Sequence, residues 1–119
     1  MLRYVAVLLV LALPQMASAE NVSFGASLDQ DGGHFGGSAT SVSGPASGRV
    51  HWSGNAITIE GGMIATHAVH LTGTITRSND PNLEGKSVTI AAIPANGTLI
   101  FTIVELNQSY LGTGRVVVR

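Results

Sequence analysis

A chain of 119 residues with 11 % charged side chains, six basic against seven acidic, and no cysteine excludes several roles at once. No basic patch is available to neutralise phosphates, so nucleic acid is not expected as a partner. Thiol catalysis, acylation through cysteine and a disulfide framework are excluded as well, which leaves packing and hydrogen bonds to hold the fold.

Met1 to Ala19 read as a secretory signal peptide. Arg3 precedes an apolar run from Val5 to Leu13, Pro14 breaks the run, and Ala17, Ser18 and Ala19 form a small-residue cleavage site. The run is roughly half of the about 20 apolar residues that a membrane span requires, so cleavage is expected rather than retention as an anchor. The expectation is a secreted or periplasmic mature chain, 20–119, that forms one domain of about 100 residues. With Arg3 removed, the basic residues are Arg49, Arg77, Lys86, Arg115 and Arg119, with no polybasic or amphipathic segment to hold a membrane surface.

Val22, Phe24, Ala26 and Leu28 alternate with Ser23, Gly25 and Ser27, which predicts a first strand. From Asp29 to Gly48, glycines, serines and Pro45 predict a loop, relieved only by a short edge strand at Ala39 to Ser43. Arg49 to Ser53 and Ala56 to Glu60 flank Gly54-Asn55, a hairpin dipeptide. Counting outward pairs Trp52 with Ile57 and Val50 with Ile59 on an apolar face, and His51 with Thr58 and Arg49 with Glu60 on a polar one.

Gly61-Gly62 predicts a second tight turn. Counting through it places Ile64 on the apolar face, which conflicts with Val69, Leu71 and Ile75 as the next apolar set. A β-bulge or break between Thr66 and Ala68 is therefore expected. Arg77 to Gly85, with Asn79-Asp80-Pro81, predicts a polar loop. Ser87 to Ile93 and Thr98 to Leu106 are two strands joined by Pro94-Ala95-Asn96-Gly97. Both of their faces are rather apolar, so cover on both sides is expected. Arg115 to Arg119, with Val116, Val117 and Val118, is the last strand. About seven or eight short strands predict an all-β domain, a small antiparallel β-sandwich or a small barrel, the sandwich being the commoner form.

The histidines are the foremost site candidates. With the expected bulge, His67 and His70 share the polar face with His51, and three imidazoles so placed would suit zinc or copper, against the plainer reading of a solvated face. Asp29-Gln30-Asp31-Gly32-Gly33 has the opening of a calcium loop but not its remainder. His34 and Phe35, set among glycines, would contact a ligand from a loop. Trp52, Phe24, Phe101 and Tyr110 would line a sugar or peptide cleft, although Trp52, paired with isoleucines, fits a core anchor better. Thr58, Thr72, Thr74, Thr76 and Thr89 form a hydroxyl-rich face that β-propensity explains. Asp80 and Glu84 are the nearest acidic pair, in a turn, and neither a nucleophile elbow nor a phosphate loop is present.

The sequence thus predicts an exported, non-catalytic β-domain that binds a protein or small ligand, with no resident cofactor. Two alternatives are a surface-assembly or fibre subunit that self-associates by adding a terminal strand at an edge, and a metal-binding protein using His51, His67 and His70.

Overall fold

The computed structural model describes residues 20–30, 33–42 and 45–119; residues 1–19, on which the expected signal peptide falls, lie outside the described residues. Eight strands follow one another: β1 (Glu20–Leu28), β2 (Gly33–Ser41), β3 (Pro45–Trp52), β4 (Asn55–Ala65), β5 (Val69–Ser78), β6 (Ser87–Ile93), β7 (Thr98–Ile103) and β8 (Gln108–Val118). Each pairs antiparallel with the next, and β8 pairs back onto β1, so the sheet closes into a barrel. The all-β expectation holds, and of its two architectures the barrel is the one formed.

Alternation with period two drives this arrangement, because each strand has one face turned to the lumen. Val22, Phe24, Ala26 and Leu28 of β1 point inward, as do Val88, Ile90 and Ala92 of β6 and Leu99, Phe101 and Ile103 of β7. Phe35 and Phe101 are fully buried with ring centroids 4.9 Å apart, and Phe24 and Trp52 pack edge-on against them at 6.0 and 5.3 Å. Side chains therefore fill the lumen. Burying each such side chain contributes about 1.5–3 kcal/mol, the main stabilising term in a chain without disulfides.

The stretch read as a loop from Asp29 to Gly48 contains all of β2 and the first half of β3. Glycine misled the reading, because here it serves close strand approach. Gly37 has φ +151°, and a Cβ on it would lie 2.6 Å from Val50 Cα, so only glycine lets β2 and β3 meet there. Phe35, expected on a flexible loop, is a core residue of β2.

The β3–β4 hairpin turns at Ser53-Gly54 rather than Gly54-Asn55. Both turn residues have positive φ, 50° and 86°, which matches the twist of the flanking strands. Val50 consequently faces Ile57 and Arg49 faces Thr58. The displacement is two residues, so the side chains keep the faces that the sequence assigned them.

No turn occurs at Gly61-Gly62. β4 continues through it, leaving Met63 and Ala65 inside and Ile64 67 % exposed outside. The break expected between Thr66 and Ala68 is the β4–β5 hairpin itself. A bulge does exist, but at the far end of the pair: Thr58 faces Arg77 whereas Ile59 faces Ile75, which leaves Thr76 as the extra residue.

The Asn79–Lys86 connection is anchored by a 3-10 turn at Pro81–Leu83, whose Leu83 is 4 % exposed and packs onto the core. The four-residue β6–β7 loop matches its expected form, with Gly97 at φ 71°. β7 stops at Ile103 and β8 begins at Gln108, so the last strand is longer than the expected Arg115 to Arg119.

Candidate binding groove on the outer wall

A filled lumen leaves ligands only the loops and the outside. A groove of about 510 Å³ lies on the outer wall where β3, β4 and β5 run side by side. The register builds it. Arg49 of β3 and Arg77 of β5 both face Thr58 of β4, one from each side.

The bulge is what brings Arg77 there. Ile75 points inward, and strict alternation would turn Arg77 inward as well; the extra residue Thr76 resets the phase, and Arg77 lies exposed. His51, two residues beyond Arg49 on the same face, extends the groove. Ser78, Asn79 and Glu84 wall it from the β5–β6 connection.

Hydrogen bonding within this wall is lopsided. Asn79 Oδ1 accepts the Ala56 N–H at 2.8 Å, Glu84 Oε2 accepts the Ser78 N–H at 3.2 Å, and Ser78 Oγ accepts the Asp80 N–H at 3.0 Å. Three lining acceptors thus help to hold the wall. The donors among the lining groups are the two guanidiniums, the Asn79 amide, the Thr58 hydroxyl and an imidazole N–H of His51, while Glu84 keeps its second carboxylate oxygen.

The three histidines proposed as a metal set are not brought together. His51 lies opposite Ala56 and His70 opposite Ile64, which separates them by about 26 Å along β4. His67 sits in the β4–β5 hairpin because that break is a turn and not a bulge within a strand. No group of three His, Cys, Asp or Glu side chains able to hold a metal ion occurs among the described residues.

Asp29 does not present its carboxylate to a cation loop. Its Oδ1 accepts the Leu111 N–H at 3.0 Å and its own N–H donates to the Leu111 carbonyl, tying the end of β1 to β8, while Asp31 and Gly32 lie outside the described residues. Asp80 caps the 3-10 turn through the Asn82 N–H. Phe24 and Phe101 are core residues, and Trp52 and Tyr110 are partly buried against each other at 5.5 Å. Trp52 Nε1 is a buried donor with no hydrogen-bond partner.

The threonines do line the exterior. Thr72, Thr89, Thr102 and Ser109 stand opposite one another across β5 to β8, with Thr102 and Ser109 hydroxyls 3.0 Å apart. The next outward row, extended to β4, is mostly apolar: Ile64, Ala91, Ile100 and Leu111, with His70 as its one polar member. The cover expected over β6 and β7 is supplied on the lumen side alone, since Ile93 and Ile100 are 44 % and 43 % exposed.

The sequence pattern places Arg49 on the polar face and Arg77 in a loop, and marks neither as a site residue. The signal that betrays the groove is the conflict of parity between Ile75 and Arg77, which only an extra residue resolves. No protein-family model, curated protein or solved structure matches this chain, so the groove is read from its own geometry.

Proposed function

We propose that the protein is an exported, non-catalytic binding module in which the barrel is the scaffold and the groove over Thr58 is the binding surface. The observation that carries this reading is the contrast between a lumen filled by fully buried Phe35, Phe101, Leu99 and Ile90 and an outer groove that presents the exposed Arg49 and Arg77. The tripartite pattern of residues 1–19 supports export. Strand addition finds less support, because β1 is already paired with β2 on one side and β8 on the other, and an incoming strand would have to open that seam.

Backbone chemical-shift mapping of the mature chain against a panel of sugars, sugar acids and amino acids tests the assignment. The expected result is a saturable response at the Thr58, Arg77 and Asn79 amides, with quiet core methyls at Ile90 and Leu99 and an unaltered ligand spectrum. A response led by the core methyls, or a ligand converted to product, would overturn it. The exported protein should begin at Glu20 on N-terminal sequencing, and a retained Met1 would refute the cleavage.

A further inference from the structure

We infer that the ligand of this groove presents an oxyanion, a carboxylate, sulfate or phosphate group, which seats between the guanidiniums of Arg49 and Arg77 above Thr58. The inference rests on the groove being the binding surface and adds the chemistry of what binds. Three features lead to it.

The first is placement. Arg49 and Arg77 face the same residue from opposite sides, so their Cα atoms stand about two strand spacings, roughly 10 Å, apart. Two like charges so disposed repel, and an anion between them turns that repulsion into two charge-assisted hydrogen-bonding arms. The planar fork of arginine suits an oxyanion better than an ammonium would.

The second feature is the bulge. Thr76 is taken out of the ladder, with its hydroxyl donating to the Thr58 carbonyl at 3.5 Å, and the outcome of that irregularity is Arg77 beside Thr58 on the outer face. Bulges recur where a strand must re-aim a side chain at a site. The third is charge: two guanidiniums against the single Glu84 carboxylate, one of whose oxygens already accepts the Ser78 N–H, leave the lining net positive. A neutral sugar gains nothing from that charge.

Two carboxylates stand nearby: Glu84 lines the same groove, and Glu60, opposite Ser47 and Thr74, shares the adjoining cleft with Arg49, Thr58 and Arg77. Neither is the direct cross-strand partner of an arginine, which leaves the place above Thr58 to an incoming oxyanion.

Titration of the isotopically labelled protein with inorganic phosphate, inorganic sulfate, galacturonate and galactose decides the matter. Phosphate, sulfate and galacturonate should each shift the Thr58 and Arg77 amides saturably, and galactose should not. If galacturonate binds at least tenfold more tightly than either inorganic ion, the oxyanion belongs to a sugar acid; the reverse order assigns it to a free ion.

Arg49→Ala and Arg77→Ala should each weaken binding about tenfold or more, Arg77→Lys should recover only part of the loss, and Arg115→Ala should leave it unchanged. A dispersed amide spectrum confirms that each variant is folded, and Arg77→Lys tests the fork even if an alanine variant fails to fold. Galactose shifting the same amides as strongly as galacturonate would overturn the oxyanion while leaving the groove as a binding surface. Silence at these amides with all four probes would overturn both, as would phosphate binding that survives both alanine variants.

Discussion

On its inner face β4 carries Ile57, Ile59, Met63 and Ala65, none more than 5 % exposed, while the outer face of the same strand carries Thr58, Glu60, Gly62 and Ile64. Packing accounts for the inner set completely: each side chain removes apolar area from water and touches others across the lumen. It accounts for nothing in the outer set, where Thr58 sits between two arginines and Ile64 faces solvent. The strand therefore carries two messages interleaved at a period of two, one read by the lumen and one by whatever meets the wall. A change to one should leave the other largely intact, and that independence can be tested.

The largest effect belongs to the lumen. Phe101 is fully buried and packs on Phe35 and Trp52, so Phe101→Ala should cost about 3–5 kcal/mol in urea unfolding, a large part of the total stability of a small domain. Ile64→Ser on the outer wall should change stability by less than about 0.5 kcal/mol. A Phe101→Ala loss below about 1 kcal/mol would mean that the lumen is loosely filled, and the scaffold reading would fall with it.

The outer message comes next. Arg77→Ala should weaken oxyanion binding about tenfold or more and leave the urea midpoint nearly unmoved. Deleting Thr76 makes Ile75 and Arg77 consecutive, so plain alternation keeps Ile75 in the lumen and Arg77 outside, opposite Thr58. Binding should therefore survive the deletion, with a change in stability of no more than about 1 kcal/mol. If the deletion abolishes binding while the fold persists, strand phase alone does not place Arg77.

How much of this was legible in the sequence follows from which residues carry the alternation. Val22 to Leu28, Val50 with Ile57 and Ile59, and the Pro94–Gly97 loop were all readable, because large inward side chains mark the phase and a turn fixes its neighbours. The hairpin faces survived a two-residue error in partner, since period two is blind to such a shift. β2 and the first half of β8 were illegible for one reason: Gly37, Gly112 and Gly114 occupy lumen positions where barrel curvature demands small residues, so the pattern lapses into what looks like loop. The groove was hidden more deeply. It depends on register across three strands, and Arg49 and Arg77, 28 positions apart in the chain, become neighbours of Thr58 only through two hairpins and a bulge. The histidines failed in the opposite sense, because face was inferred correctly for His51 and His70 but position along the strand was not.

The smallest expected effect tests whether outer-wall hydrogen bonds contribute to the fold at all. Glu105, in the β7–β8 turn, accepts the Ser87 N–H at 2.7 Å and the Ser87 hydroxyl at 2.8 Å, and these bonds, with smaller help from its own N–H and from Lys86, hold its carboxyl below the ordinary 4.5. A lowered folded value means that the native state favours the carboxylate more than the unfolded chain does. The stabilisation is therefore present above the ordinary carboxyl range and is lost as pH falls through the lowered value. Full exposure keeps the contribution small. Ser87→Ala removes the hydroxyl donor and keeps the N–H, so carbon-detected titration should show the Glu105 carboxyl moving part of the way back up. The drop in thermal midpoint between pH 7 and pH 3 should shrink by a correspondingly small amount. An unchanged titration in Ser87→Ala would assign the whole shift to the backbone N–H groups, so that of this pair only the Glu105 carboxylate, and not the Ser87 hydroxyl, contributes to the fold.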